Sequence, residues 1–68
     1  MEKIDELIEQ ANDELSRKKR YIHIEDNGRG SWFLYWLDSD GEVNVSKENV
    51  KEEDLYKAIE NLYNYLRN

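Results

Sequence analysis

The sequence predicts an α+β domain in the order α-β-β-β-α, in which a three-stranded antiparallel meander is flanked by two helices. Three observations predict it. Apolar residues recur at helical spacing near both ends of the chain, the period changes to two between them, and two short glycine-containing turns divide the middle segment. Short turns join antiparallel neighbours, so the strands form a meander. The 68 residues allow a single domain, 1–68.

The first helix is predicted from Glu2 to Ser16. Its narrow apolar stripe consists of Ile4, Leu7, Ile8, Ala11 and Leu15. The segment contains good helix formers and neither Gly nor Pro. Acids concentrate toward its first turns and the bases of Arg17–Arg20 follow its end, a distribution that the helix dipole favours.

Three strands are predicted, at Tyr21–Glu25, Trp32–Leu37 and Glu42–Ser46. Asn27-Gly28 and Asp40-Gly41 are strong turn signals between them. In the third strand, Val43 and Val45 are expected to point into the core. The last helix follows Asn49, a predicted N-cap with Glu52 three residues on. Its core stripe is Leu55, Ile59, Leu62 and Leu66.

The second strand is apolar on both faces, whereas a half-buried strand alternates apolar and polar residues. Trp32, Leu34 and Trp36 share one face, and Phe33, Tyr35 and Leu37 share the other. Either the helices lie on opposite faces and bury both sets, or one aromatic face stays open as an interaction surface. We favour a homodimer that buries the second face. Its predicted interface residues are Tyr21, His23, Phe33, Tyr35 and Leu37.

The composition and charge of the chain disfavour several classes of function. The net charge is −6, which disfavours direct contact with nucleic acid and also serves solubility. There is no cysteine and His23 is the only histidine, so we expect no metal site and no cofactor. The chain shows no secretory leader and no apolar run long enough to span a bilayer. A soluble protein of the cytoplasm is expected.

No motif predicts catalysis. "GRGS" (residues 28–31) lacks the spacing of a phosphate-binding loop, and "DSDGE" (residues 38–42) lacks the full calcium-loop pattern. His23 has no nucleophile or pocket in the sequence to act with, and is expected to be a half-buried or interface residue on the second face of the sheet. The basic segment "RKKR", Arg17–Arg20, reads most simply as a solvated helix end. We therefore expect no enzyme.

Acidic residues line the first helix opposite its apolar stripe. Glu2, Glu6, Glu9 and Asp13 place one negative charge about every 4–5 Å, whereas duplex DNA carries one per about 1.7 Å. The negative charge on one helix is too widely spaced to imitate a duplex. Two such helices in a dimer, together with a second acidic segment, come closer to the charge density of DNA. That segment comprises Glu48, Glu52, Glu53 and Asp54. The simpler interpretation is an ordinary solvated helix face.

The small size, the absence of Cys and Pro, and the two acidic sets on a compact α/β scaffold resemble the small acidic host-takeover proteins of bacteriophages. In particular they are similar to DNA-mimic inhibitors of bacterial nucleoid proteins such as HU. The resemblance implies a non-catalytic protein, often a dimer, whose eight acidic residues stand in for phosphates on a basic DNA-binding partner in the bacterial cytoplasm. The basic "RKKR" segment departs from that pattern.

Two functional hypotheses follow. In the first, the protein blocks a basic DNA-binding protein by electrostatic mimicry. In the second, it is a structural or regulatory module that binds another protein through its aromatic sheet face, and its charge serves solubility alone. The first predicts binding that weakens steeply with salt, and the second predicts salt-tolerant binding.

Overall fold

The computed structural model describes residues 2–68 and has the predicted order of elements. The helices are α1 (Glu2–Leu15) and α2 (Glu52–Arg67), and a short 3-10 turn covers Ser16–Lys18. The strands are β1 (Tyr21–Asp26), β2 (Trp32–Leu37) and β3 (Val43–Val50). They form one antiparallel sheet in the order β1-β2-β3, so the prediction of an α+β meander is confirmed.

Both helices lie on the same face of the sheet. Ile22, Leu34 and Val50 point from the three strands into a single core. The helices contribute Ile4, Ala11 and Leu15 from α1 and Leu55, Ala58, Ile59, Leu62 and Leu66 from α2. The predicted core stripe of α2 is thus fully buried. Trp32 and Trp36 pack against this core, whereas the opposite face of the sheet has no helix over it.

The two helices run parallel to each other. At their N-terminal ends Lys3 and Leu7 line a shallow groove together with Tyr56. At their C-terminal ends Tyr63 donates a hydrogen bond to the Glu14 carboxylate. The meander makes the parallel arrangement of the helices possible. β1 runs back from the end of α1, and after β2 and β3 the chain is again at the end of the molecule where α1 began. Both helix N-termini therefore lie at one end of the molecule.

The amide of Asn12 covers part of the free edge of β1. Its Nδ2 donates to the carbonyl oxygen of Ile22 at 2.9 Å, and its Oδ1 accepts from the Ile22 N–H at 2.7 Å. Edge strands expose unpaired backbone groups that invite association with other strands. One side chain of α1 thus satisfies both outward backbone groups of Ile22 and ties the helix to the sheet.

Two predictions in the third strand are wrong. Val43 and Val45 do not point into the core but are 57% and 54% exposed. They pair with Leu37 and Tyr35, and that register places them on the face without helices. The predicted strand end at Ser46 is also too early, because two register shifts let β3 continue to Val50.

The predicted N-cap of the last helix is wrong for the same reason. Asn49 belongs to β3, and its side chain accepts a hydrogen bond from Asn27 at 3.1 Å instead of capping a helix. α2 begins at Glu52 after Lys51, which makes no side-chain capping bond. Acids in the first turn, including Glu52 and Asp54, complement the helix dipole there.

Lys19 ends the 3-10 turn in the left-handed conformation, with φ +57°. The Cβ of an L-residue is strained there by about 1–2 kcal/mol, and glycine is the usual occupant. We expect Lys19→Gly to raise the free energy of unfolding by about 0.5–1 kcal/mol, measured by urea denaturation. Lys19→Ala removes the same charge but keeps a Cβ, so a gain in that variant would assign the effect to charge instead.

Candidate functional site

The parallel helices concentrate the net negative charge at one end of the molecule. We call this end the acidic half and define it by residues 2–10, 25–31 and 47–57. It carries ten acids and five bases, a net charge of −5, whereas the remaining described residues carry six acids and five bases, a net charge of −1. The two acidic segments are separated in sequence, and the fold brings them to the same end.

The acidic half includes the groove where α1 meets α2. Glu6 lies on the wall of the groove that Tyr56 also lines. Glu52 precedes Tyr56 by one helical turn and so lies on the same side of α2. Glu2, Glu9 and the more distant Asp13 continue along the exposed side of α1, and all are solvent-exposed.

The other predicted acidic residues do not join this surface. Glu48 lies beside Phe33 and Arg29 at the end of the sheet face without helices. Asp54 lies on the β3 side of α2, in a depression that Lys47 and Lys57 also line. Glu53 is exposed on the outer side of α2. Of the eight predicted residues, only Glu6 therefore lines the α1–α2 groove among the described residues, and Glu48, Asp54 and Glu53 lie at three other places.

The basic segment lies at the end of the molecule opposite the acidic half. The Arg20 guanidinium donates to the carbonyl oxygen of Leu66 at 2.8 Å and lies 3.6 Å from the Asp38 carboxylate. Lys18 Nζ donates to the carbonyl oxygen of Arg67 at 2.7 Å. Cations are favoured at helix C-termini, where carbonyl groups lack partners. These two bases thus hold the end of α2, away from the acidic half.

The second candidate surface is the sheet face without helices, which we call the open face. All five predicted interface residues lie on it: Tyr21, His23, Phe33, Tyr35 and Leu37. The structure adds Val43 and Val45 to them. Sequence reasoning missed these two valines because alternation identifies two faces of a strand but not which face the helices cover.

An aromatic ring pair lies at the centre of the open face. The rings of His23 and Tyr35 are stacked with centroids 5.4 Å apart and planes 15° from parallel. Tyr35 also lines a shallow depression on this face together with Phe33 and Val45. Among residues 2–68, no three His, Cys, Asp or Glu side chains are grouped so that they could hold a metal ion.

No protein-family model matches the chain, and comparison with curated proteins and with solved structures gave no match either. Within the described part of the chain, neither helix is long and apolar enough to cross a membrane.

Proposed function

We propose that this is a non-catalytic binding protein whose acidic half occupies a basic, DNA-binding surface of another protein. The observation that supports this most is the net charge of −5 on the acidic half, against −1 on the rest of the described chain. The proposed partner is a bacterial nucleoid protein of the HU type. A phage-encoded inhibitor acting in the cytoplasm of a bacterial host fits this chemistry.

The position of the basic segment removes an objection to DNA mimicry. A mimic that presented Arg17–Arg20 to its target would repel the target's own lysines and arginines. Here Arg20 and Lys18 are bound to the end of α2, at the opposite end from Glu6 and Glu52. The acidic half can therefore contact a basic surface while the basic segment Arg17–Arg20 stays away from that surface.

Binding of this kind depends on salt, because carboxylates replace phosphates against lysine and arginine. Charge complementarity chiefly raises the association rate and sets specificity, and screening reduces both. We expect the protein to displace duplex DNA from a purified HU-type nucleoid protein at low salt and to lose this ability at high salt. Fluorescence anisotropy of labelled DNA measures the displacement directly.

Charge reversal at the α1–α2 groove should weaken this displacement by about tenfold or more. The test variant carries Glu6→Lys and Glu52→Lys. The matched control carries Glu42→Lys and Glu60→Lys, which change the net charge equally but lie outside the acidic half. Equal loss in both variants would mean that net charge alone governs binding. Absence of displacement by the unmodified protein at low salt would refute the proposal.

A second candidate function uses the open face. Tyr21, Val43 and Val45 are exposed there beside half-buried aromatic residues, and aromatic side chains are enriched at protein interfaces. A structural or regulatory module acting through this face would bind its partner at high salt as well. Val45→Glu would then abolish binding, whereas the Glu6→Lys and Glu52→Lys variant would retain it.

A further inference from the structure

Asn27 begins the loop of the first hairpin and is the only asparagine of the chain that is followed by glycine. Its backbone N–H donates to the carbonyl oxygen of Ser31 at 3.1 Å. Gly28 follows with φ +77°, a conformation that L side chains rarely adopt. The pair thus forms the turn between β1 and β2, and neither of the proposed binding surfaces depends on its chemistry.

An asparagine that precedes glycine is prone to deamidation, because glycine has no Cβ to obstruct its own backbone nitrogen. In this reaction the Gly28 nitrogen loses its proton and attacks Cγ of Asn27, which closes a succinimide ring. The bond between Cγ and Nδ2 breaks, and the side-chain nitrogen leaves as ammonia. Water then opens the ring at either of its carbonyl groups, and the product is aspartate or isoaspartate.

The folded hairpin holds the side chain of Asn27 with three hydrogen bonds. Its Nδ2 donates to Oγ of Ser31 and, at 3.1 Å, to Oδ1 of Asn49. Its Oδ1 accepts from the backbone N–H of Arg29 at 2.9 Å. A side chain held in this way has little freedom to present Cγ to the Gly28 nitrogen, and the departure of Nδ2 as ammonia breaks two of the three bonds.

The attacking nitrogen is also held by a hydrogen bond. The backbone N–H of Gly28 donates to Oδ1 of Asp26 at 2.8 Å. A hydrogen bond to an ionised acceptor is about twice as strong as one between neutral groups, so it stabilises the protonated nitrogen. The negative charge of Asp26 also opposes the anion that forms when the proton leaves. Gly28 is therefore a poorer nucleophile in the folded hairpin than in an unfolded chain.

We propose that Asn27 is a deamidation site that the native hairpin protects, so that modification takes place only in molecules whose hairpin has opened. The bond from Asn27 to Asn49 joins the end of β1 to β3 across the end of β2, and opening the hairpin breaks it. The product adds one carboxylate to the acidic half and lacks the amide donor that binds Asn49. The proposal is independent of the partner of the acidic half.

Peptide mass spectrometry of the full chain measures the reaction during incubation at mildly alkaline pH. Conversion of the amide to an acid raises the mass of the peptide that contains Asn27, and chromatography separates its aspartate and isoaspartate forms. We expect deamidation of the folded protein to be at least about tenfold slower than that of the same chain in guanidinium chloride, because the hairpin must first open. Equal rates in the two conditions would overturn the protection. Absence of product at Asn27 in the denaturant would overturn the site itself.

Two variants test the protecting contacts in the folded protein. Asn49→Ala and Ser31→Ala each remove one acceptor of the Asn27 amide, and each should raise the deamidation rate by about two- to tenfold, as expected for one hydrogen bond. The matched control is Asn44→Ala, since Asn44 lies on the same strand as Asn49 and donates to the carbonyl oxygen of Glu42. Circular dichroism verifies that each variant is folded under the reaction conditions. Folded variants that all react at the rate of the unmodified protein would refute protection by these bonds.

Discussion

Leu34→Ala is expected to lower the free energy of unfolding by about 2–5 kcal/mol. Leu34 lies in the central strand, has 0% exposure, and contacts the core that both helices complete. Shortening it removes apolar burial and leaves a cavity, because neighbouring elements on all sides restrict collapse. Small domains are stable by only about 5–15 kcal/mol, so this is a large fraction of the total. Urea denaturation followed by tryptophan fluorescence measures the loss.

Val45→Ala provides the matched control on the same sheet. Val45 is 54% exposed on the open face, so its truncation should change the free energy of unfolding by less than about 0.5 kcal/mol. Both variants are compared at the same protein concentration. Similar losses in the two variants would contradict the assignment of the helices to a single face.

Asn12→Ala is expected to lower the free energy of unfolding by about 1–3 kcal/mol. The substitution removes two hydrogen bonds at once and leaves the N–H and the carbonyl of Ile22 without their partner. It also breaks the tie between α1 and the edge of β1. For a domain of this size, 1 kcal/mol shifts the melting temperature by about 4–8 °C. Circular dichroism during heating measures the shift.

Asn44→Ala is the control for this prediction. Asn44 lies on the other edge strand and donates one hydrogen bond, at 3.2 Å, to the carbonyl oxygen of Glu42 in the adjoining turn. Its removal should shift the free energy of unfolding by no more than about 0.5 kcal/mol. If Asn12→Ala lowered the free energy of unfolding as little as Asn44→Ala, water would satisfy the backbone of Ile22 equally well. The two Asn12 hydrogen bonds would then contribute little to stability.

The sequence was sufficient to predict the elements that have a clear period. The stripe from Leu55 to Leu66 has helical spacing, and the Asp40-Gly41 turn fits φ +80° at Gly41. Both are local properties. The placement of Val43 and Val45 is not local, because it depends on which face of β2 the helices choose. Alternation assigns residues to faces and cannot name the buried face.

The acidic site was predictable in composition but not in geometry. The spacing of Glu6, Glu9 and Asp13 predicted an exposed line on α1, and each is exposed. That Glu6 lines the groove between α1 and α2, while Asp54 lies among lysines on another side of α2, depends on how the two helices pack. Helix packing is a tertiary property that no single-helix pattern contains.

The parallel helix pair has a consequence for the order in which the protein folds. Glu14 and Tyr63, which join the ends of α1 and α2, are 49 residues apart in the chain. The entropy lost in closing a loop grows with its length, so this contact is expensive in an open chain. The two hairpins join residues close in sequence and fold residues 21–50 into one compact sheet. α1 packs against both β1 and α2. Its contacts with α2 therefore form only after the meander has placed α2 beside it.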